Sequence, residues 1–338
     1  MARGLYQNLG GDYPAENANR ADSRFWNRGR WDNFIQPLLL AEGVALDERH
    51  GVTDGKAPHH VFIEIGCNAG LFLQAATSYG FGRVIGLEKS GHAVKHGRRY
   101  RDEHNLEYEL RNGTFGLDVS LDDFPVCDVL LLSTVHYYFS IQEWTRMLDI
   151  LHTRARYVIF VSRHMLLDHN RPQSGMRDLC DYFPNDRWRK VATVTDVPKV
   201  NDPKARHDLF SVMFQSRVLK REPINRFMVG DEDQMNVGLS ELVVLAVIND
   251  EDINITETKY YKELLRRKAG RWSPPAIVDF VGHKVAMMRD VKERGLMEPL
   301  LAHPSDHWRS RHLVDGGHRL MILHALGHTT VLVREVGP

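Results

Sequence analysis

Cysteine is scarce in this chain: 338 residues contain three, Cys67, Cys127 and Cys180. Three thiols cannot build a disulfide framework, and their spacing fits no zinc motif. A reduced, cytoplasmic setting is therefore expected. Long apolar runs are also missing. Stretches such as Val129–Leu132 fall far short of the ~20 residues needed to cross a bilayer, so no membrane association is expected. The first thirty residues are polar and carry arginines, without the apolar core of a signal peptide. An excess of either charge is lacking too, since 44 Lys+Arg balance 44 Asp+Glu. That argues against coating nucleic acid or membrane by bulk electrostatics, and a polyanion would have to be held in a local pocket. No repeat or low-complexity tract breaks the chain.

What is present is an ordinary globular mix, long enough for about two domains. Residues 1–23 read as a polar N-terminal arm. The stretch RFWNRGRWDNFIQPLLL, 24–40, begins with aromatics among arginines and ends apolar. It fits a helix or cap packed on the strands and helices C-terminal to it. Arg24, Trp26, Arg28 and Trp31 equally fit a lid that stacks a base. From Val61 the pattern alternates. Apolar strands are expected at Val61–Ile65, Arg83–Leu87, Tyr108–Arg111, Asp128–Ser133 and Arg156–Ser162. Helices are expected at Leu71–Tyr79, Ala93–His104 and Ile141–Leu151. Trp188–Asp196 and Asp208–Val218 fit a closing antiparallel pair. The expectation is an α/β fold: a doubly wound, Rossmann-like sheet over 24–221, closed by antiparallel strands. A linker is expected at 222–239, and a smaller α/β domain at 240–338 that opens on a strand, Glu241–Ile248.

The first chemical motif is Glu64-Ile65-Gly66-Cys67-Asn68-Ala69-Gly70, between a buried strand and a helix. Glycines at 66 and 70 let the chain turn and let a ligand approach the backbone. The helix N-terminus beyond them presents free N–H groups. Glu88 ends the next strand, where an acid can accept hydrogen bonds from ribose hydroxyls. The pattern E-x-G-x-x-x-G lacks the fuller dinucleotide fingerprint. It resembles the Class I S-adenosylmethionine-dependent methyltransferases over residues 24–221. The resemblance implies S-adenosyl-L-methionine as cofactor, with Glu64 near the methionine amino group. It also implies Gly66, Asn68 and Gly70 passing the methionine and ribose, and Glu88 on the ribose. The family's usual acid after the third strand is absent. The chain reads Arg111-Asn112-Gly113-Thr114 there, and Asn112 or Thr114 stands in for it.

The fourth strand ends Ser133-Thr134-Val135-His136-Tyr137-Tyr138. Ser133 is a candidate cofactor contact. His136 is the candidate proton acceptor, since it titrates near neutral pH, and Tyr137 can stack on a planar acceptor. The other reading is that these side chains only pack the strand–helix junction. No [DNS]-P-P-[YFW] motif and no Pro-Cys nucleophile occurs, which lowers two DNA-methylating readings.

The second motif, Asp315-Gly316-Gly317-His318-Arg319, joins a strand to a helix. Glycines meet a helix N-terminus, with a histidine and a forked cation just inside, a plausible phosphate cradle. With VKERGLMEPL, 291–300, and LVDGGHRLMILHALG, 313–327, the region resembles the ParB/sulfiredoxin-like fold over 240–336. The resemblance implies phosphate or nucleotide binding at Asp315, Gly316, Gly317, His318 and Arg319. It also implies a nucleoside triphosphate with Mg as a second cofactor, Asp315 being a metal ligand or base. Gly317 stands where sulfiredoxins need cysteine, which excludes their chemistry. No resident metal is expected elsewhere; His324 and His328 are one turn apart, but Gly327 breaks the helix between them.

The expectation is methyl transfer to an oxygen or nitrogen of a nucleic acid, a nucleotide or a phosphorylated small molecule, held partly by the C-terminal module. Such pairings resemble phage or mobile-element modification enzymes. The alternative is a nucleotide-dependent kinase or NTPase acting through the C-terminal module, with the first domain only binding cofactor.

Overall fold

The computed structural model describes residues 9, 29–44, 57–135, 139, 142–143, 147, 150–163, 183, 185–199, 202–206, 209–227, 234–249, 252–303 and 313–336. The chain divides into two compact units, 1–123 with 127–218, and 124–126 with 219–338.

In the first unit a π-helical turn, Trp31–Ile35, runs into α1, Gln36–Ala41. Trp31, Phe34, Ile35, Leu38 and Leu39 are buried. Then come β1 (Ala57–Ile65), α2 (Leu71–Tyr79), β2 (Phe81–Glu88), α3 (Gly91–Glu103) and β3 (Glu109–Asn112). They are followed by β4 (Cys127–Ser133), β5 (Ala155–Arg163) and β6 (Trp188–Val194). A small ribbon, β7 (Pro198–Lys199) with β8 (Asp202–Arg206), precedes β9 (Leu209–Ser216).

The fold is mixed α/β. Its seven-stranded sheet has the order β3-β2-β1-β4-β5-β9-β6. The pairs from β3 to β5 are parallel, and β9 lies antiparallel to both β5 and β6. The sequence favours this because β4 is buried at every position, which suits a strand covered on both faces. Order reverses at β1, which has β2 on one side and β4 on the other. Crevices for ligands open at the carboxyl ends of the strands at such a point. Trp31 packs edge-on to Phe62 at 5.8 Å and to Tyr79 at 6.0 Å. It is a core residue, so of the two expected readings Trp31 takes the packing one and not the stacking lid. Arg24, Trp26 and Arg28 lie outside the described residues.

The second unit holds β10 (Leu219–Pro223), α4 (Gln234–Val243), α5 (Lys259–Arg267) and α6 (Pro274–Arg294). It continues with β11 (Leu300–Ala302), β12 (Leu313–Asp315), α7 (Gly317–Ala325) and β13 (Thr330–Glu335). Its sheet has the order β10-β13-β11-β12. Two expectations change here. The segment 222–239 carries the end of β10, a 3-10 turn at Ile224–Arg226 and the start of α4. Pro223 sits at the end of a strand whose pairing with β13 runs from Leu219 to Pro223. Glu241–Ile248 is no strand. α4 passes into a π-helical turn at Val244–Ile248, and Leu239, Leu242, Val243, Ala246 and Val247 are buried. That spacing is helical, although the run is rich in β-branched residues. Ser273 caps α6, its hydroxyl accepting from Ala276 N. Thr258 caps α5, its hydroxyl accepting from Tyr261 N.

Gly238 lets α4 approach the start of α5, since a Cβ there would lie 2.8 Å from the Tyr260 backbone nitrogen. Gly238→Ala should therefore cost about 1–3 kcal/mol through overpacking, read as a lower urea midpoint. An unchanged midpoint would show that the two helices can separate freely.

Candidate functional site

The register brings the first motif to one edge. Glu64 lies beside Gly86 and Leu131, Ile65 beside Leu87 and Leu132, and Glu88 beside Asn112. Asn112, Glu88 and Ser133 thus close β3, β2 and β4, and Glu64 lies one residue inside the end of β1. Gly66 and Gly70 both adopt positive φ, +77° and +92°. A side chain at Gly66 would collide with Val135, just past the end of β4. The glycine loop and the β4 exit are therefore in direct contact.

Glu88 ties the loop down. Its Oε2 accepts from Asn68 N at 2.9 Å and its Oε1 from Ser90 N at 2.7 Å. Asn68 is held at φ +52°, a conformation that asparagine tolerates better than most residues. A carboxylate offers about four acceptor positions. Two are used, so each Glu88 oxygen can still accept a hydroxyl. Asn112 donates to the carbonyls of Glu88 and Lys89 at 2.8 and 3.2 Å, so its amide fixes the β2 exit. Thr114 is different. Its carbonyl accepts from the amides of Leu117, Asp118 and Val119, and its own amide donates to Asp118. Its backbone closes a local turn.

Glu64 is 1% exposed, and its Oε2 has no hydrogen-bond partner among the described residues. Its pKa is raised to about 8, first by burial and then by the neighbouring Glu88 carboxylate, with Arg30 opposing both. Burial also holds the Cys67 thiol well above its usual range. An unpaired, buried carboxyl with an open oxygen suits a ligand group that donates N–H bonds or carries positive charge.

Arg30 was not singled out in the sequence. It is 8% exposed, and its Nη1 donates to Ser133 Oγ at 3.1 Å and Thr134 Oγ1 at 3.4 Å. Thr134 sits at φ +57°, which is strained for a β-branched residue. Such strain costs about 1–3 kcal/mol and persists only where neighbours hold it. Thr134 N also donates to Val161 O at 2.7 Å. His136 and Tyr137 lie outside the described residues.

In the second unit Gly316, at φ +102°, begins α7 in the left-handed conformation. A Cβ there would lie 2.5 Å from Leu300 Cδ2. Gly317 faces open space. Asp315 Oδ1 accepts from Gly316 N at 2.7 Å, and Asp315 Oδ2 from Arg319 Nη2 at 3.1 Å. Arg319 Nη1 donates to Glu298 O at 3.1 Å. The expected phosphate fork is thus turned onto the protein's own oxygens, because Asp315 sits one turn before it at i−4. His318 was expected, and two partners were not. Its Nε2 is 3.4 Å from Tyr260 Oη, and its Nδ1 is 3.4 Å from Lys284 Nζ. Burial, then Lys284, lowers the His318 pKa, against Asp315. Among the described residues no group of three or more His, Cys, Asp or Glu converges as a metal site. No described helix is long and apolar enough to cross a membrane.

No protein-family model matches the chain, and no curated protein matches it in sequence. Solved structures do resemble it. The N-methyltransferase NodS from Bradyrhizobium japonicum WM9, in complex with S-adenosyl-L-homocysteine, is 14% identical with a TM-score of 0.41. That match covers 62% of this chain and 94% of NodS. An S-adenosylmethionine-dependent methyltransferase from Clostridium acetobutylicum is 7% identical with a TM-score of 0.39, covering 55% of this chain and 91% of its own. The bifunctional kinase–methyltransferase WbdD is 15% identical with a TM-score of 0.43, covering 64% of this chain and 45% of its own. Identities and scores this low carry no argument about activity, which has to come from the chain's own residues.

Glu64 yields a stability prediction. Its folded pKa, about 8, lies above the ordinary 4.5. The proton's stabilising effect is complete below 4.5 and is lost as pH rises toward 8. Glu64→Gln never ionises. Its melting temperature should match wild type near pH 4, exceed it increasingly up to pH 8, and keep a constant margin above. A margin independent of pH would show that Glu64 ionises normally.

Proposed function

We propose that the first unit is a Class I S-adenosylmethionine-dependent methyltransferase domain. The observation that carries the reading is the pair of buried carboxyls at the sheet edge. Glu64 keeps an open oxygen beside the glycine loop, and Glu88 keeps acceptor capacity while clamping that loop. The acceptor groups fit the cofactor. Glu64 suits an ammonium, Glu88 suits a ribose diol, and Gly66 and Gly70 leave room along the backbone. Asn112 would border the adenine side and Ser133 the opposite side. Thr114 would contribute through its side chain, since its backbone is committed.

Bound there, S-adenosylmethionine would supply an electrophilic methyl on a sulfonium. The chain's part is to orient an acceptor in line and keep water out. His136 would take a proton from an oxygen or nitrogen acceptor, and Tyr137 would stack on it. Calorimetry with S-adenosyl-L-homocysteine tests the reading. Wild type should bind one equivalent. Glu88→Ala should bind at least about tenfold more weakly, with circular dichroism unchanged. No binding by folded wild type would overturn the reading.

For the second unit we propose a site for an anionic group, such as a phosphate of the acceptor. Lys284, His318 and the start of α7 support it, with Tyr260 as a further donor. A nucleoside triphosphate with Mg at this site, and hence the kinase or NTPase alternative, would need Arg319 to leave Asp315. His318 is held neutral by burial and Lys284, and an anion would favour its charged form. Sulfate binding should therefore strengthen as pH falls below 6.5, and His318→Gln should remove that dependence. Equal affinity at pH 5.5 and 8 in wild type would contradict it.

A further inference from the structure

We propose that Arg30 is a positioning residue: its guanidinium pins the strained exit of β4 against the glycine loop and sets the charge around Glu64. The inference concerns the protein's own geometry. Its bearing on catalysis rests on the methyltransferase reading.

Three observations meet at this side chain. Arg30 bridges two adjacent hydroxyls, Ser133 Oγ and Thr134 Oγ1, more than a hundred residues away in sequence. Thr134 holds a left-handed conformation that a β-branched residue rarely adopts. The next residue, Val135, fills the space above Gly66. The turn that Arg30 grips is therefore also the wall of the loop. A strained turn relaxes when a restraint that holds it is removed.

The guanidinium acts on Glu64 as well. The charged or titratable groups bearing on Glu64 among the described residues are Arg30 from the segment before α1, Glu88 from β2 and Cys67 from the loop. Arg30 is the one cation in that set, and it alone favours the ionised carboxyl. Removing it leaves Glu64 between a second carboxylate and an apolar interior. Its proton should then be held more tightly. The residue thus couples the segment before α1 to both the β4 exit and the loop's acid. A side chain that merely filled space would do neither.

Two readouts test this. The first is amide exchange in the free protein. In Arg30→Gln the Thr134 amide, now bonded to Val161, should exchange about tenfold faster, while amides within β1 and β2 stay unchanged. Arg30→Lys keeps the charge and hydroxyl donors, and should restore most of the protection. The second is the pH dependence of S-adenosyl-L-homocysteine binding. In Arg30→Gln the pH at which affinity half-saturates should rise, and in Arg30→Lys it should stay near wild type. Arg99→Gln, an exposed arginine on α3, serves as control and should change neither. Unchanged Thr134 exchange in folded Arg30→Gln overturns the proposal. If wild type binds no S-adenosyl-L-homocysteine, the methyltransferase reading fails, and amide exchange still decides the role of Arg30.

Discussion

Two carboxyl groups buried side by side are an electrostatic problem, and the edge of the seven-stranded sheet is organised around it. Glu88 meets it with backbone donors, one from the glycine loop and one from the start of α3. Glu64 meets it by holding its proton, with Arg30 as the opposing cation. The arrangement costs stability, and it leaves a Glu64 oxygen with no partner among the described residues and Glu88 with acceptor capacity to spare. Such cost without structural return is the usual mark of a site built for a ligand. A hydrophobic residue at Glu64 would serve the core better. The carboxyl makes sense as half of an interaction that a cationic or N–H-bearing partner completes.

The elements that shape this edge were largely readable from the sequence. Strands such as Asp128–Ser133 announce themselves as unbroken apolar runs, and the two glycines with the acid before them mark a strand–turn–helix. Glu88 was readable because it closes an apolar strand at a familiar distance from the glycines. What could not be read was its double use as loop clamp, since backbone amides leave no sequence signal. Arg30 was hidden for another reason. It lies among several arginines near the N-terminus, and only the folded chain brings it to Ser133 and Thr134. Thr134 gave no sign either, because its strain is imposed by tertiary contacts.

The second unit was harder to read, and the reasons are local. The run Glu241–Ile248 has strand composition, yet its buried positions repeat with helical spacing once Leu239 is counted. Composition there misled where periodicity over a longer window informs. At the Gly316–Gly317 turn the positions of the glycines were legible. The engagement of Arg319 was not, because Asp315 competes for it within a single helical turn. Lys284 comes from the middle of α6 and Tyr260 from α5, and neither belongs to a recognisable motif. The cation beside His318 is thus a property of the packed helices rather than of the glycine-rich segment.

The central claim is that the paired carboxyls and the glycine loop form one cofactor cradle. A crystal structure with S-adenosyl-L-homocysteine tests it most directly. The account predicts the ribose hydroxyls within hydrogen-bond distance of Glu88, the amino group on Glu64, and the backbone of Gly66 to Gly70 alongside. Ligand density away from this edge, with Glu64 still unpaired, would contradict it.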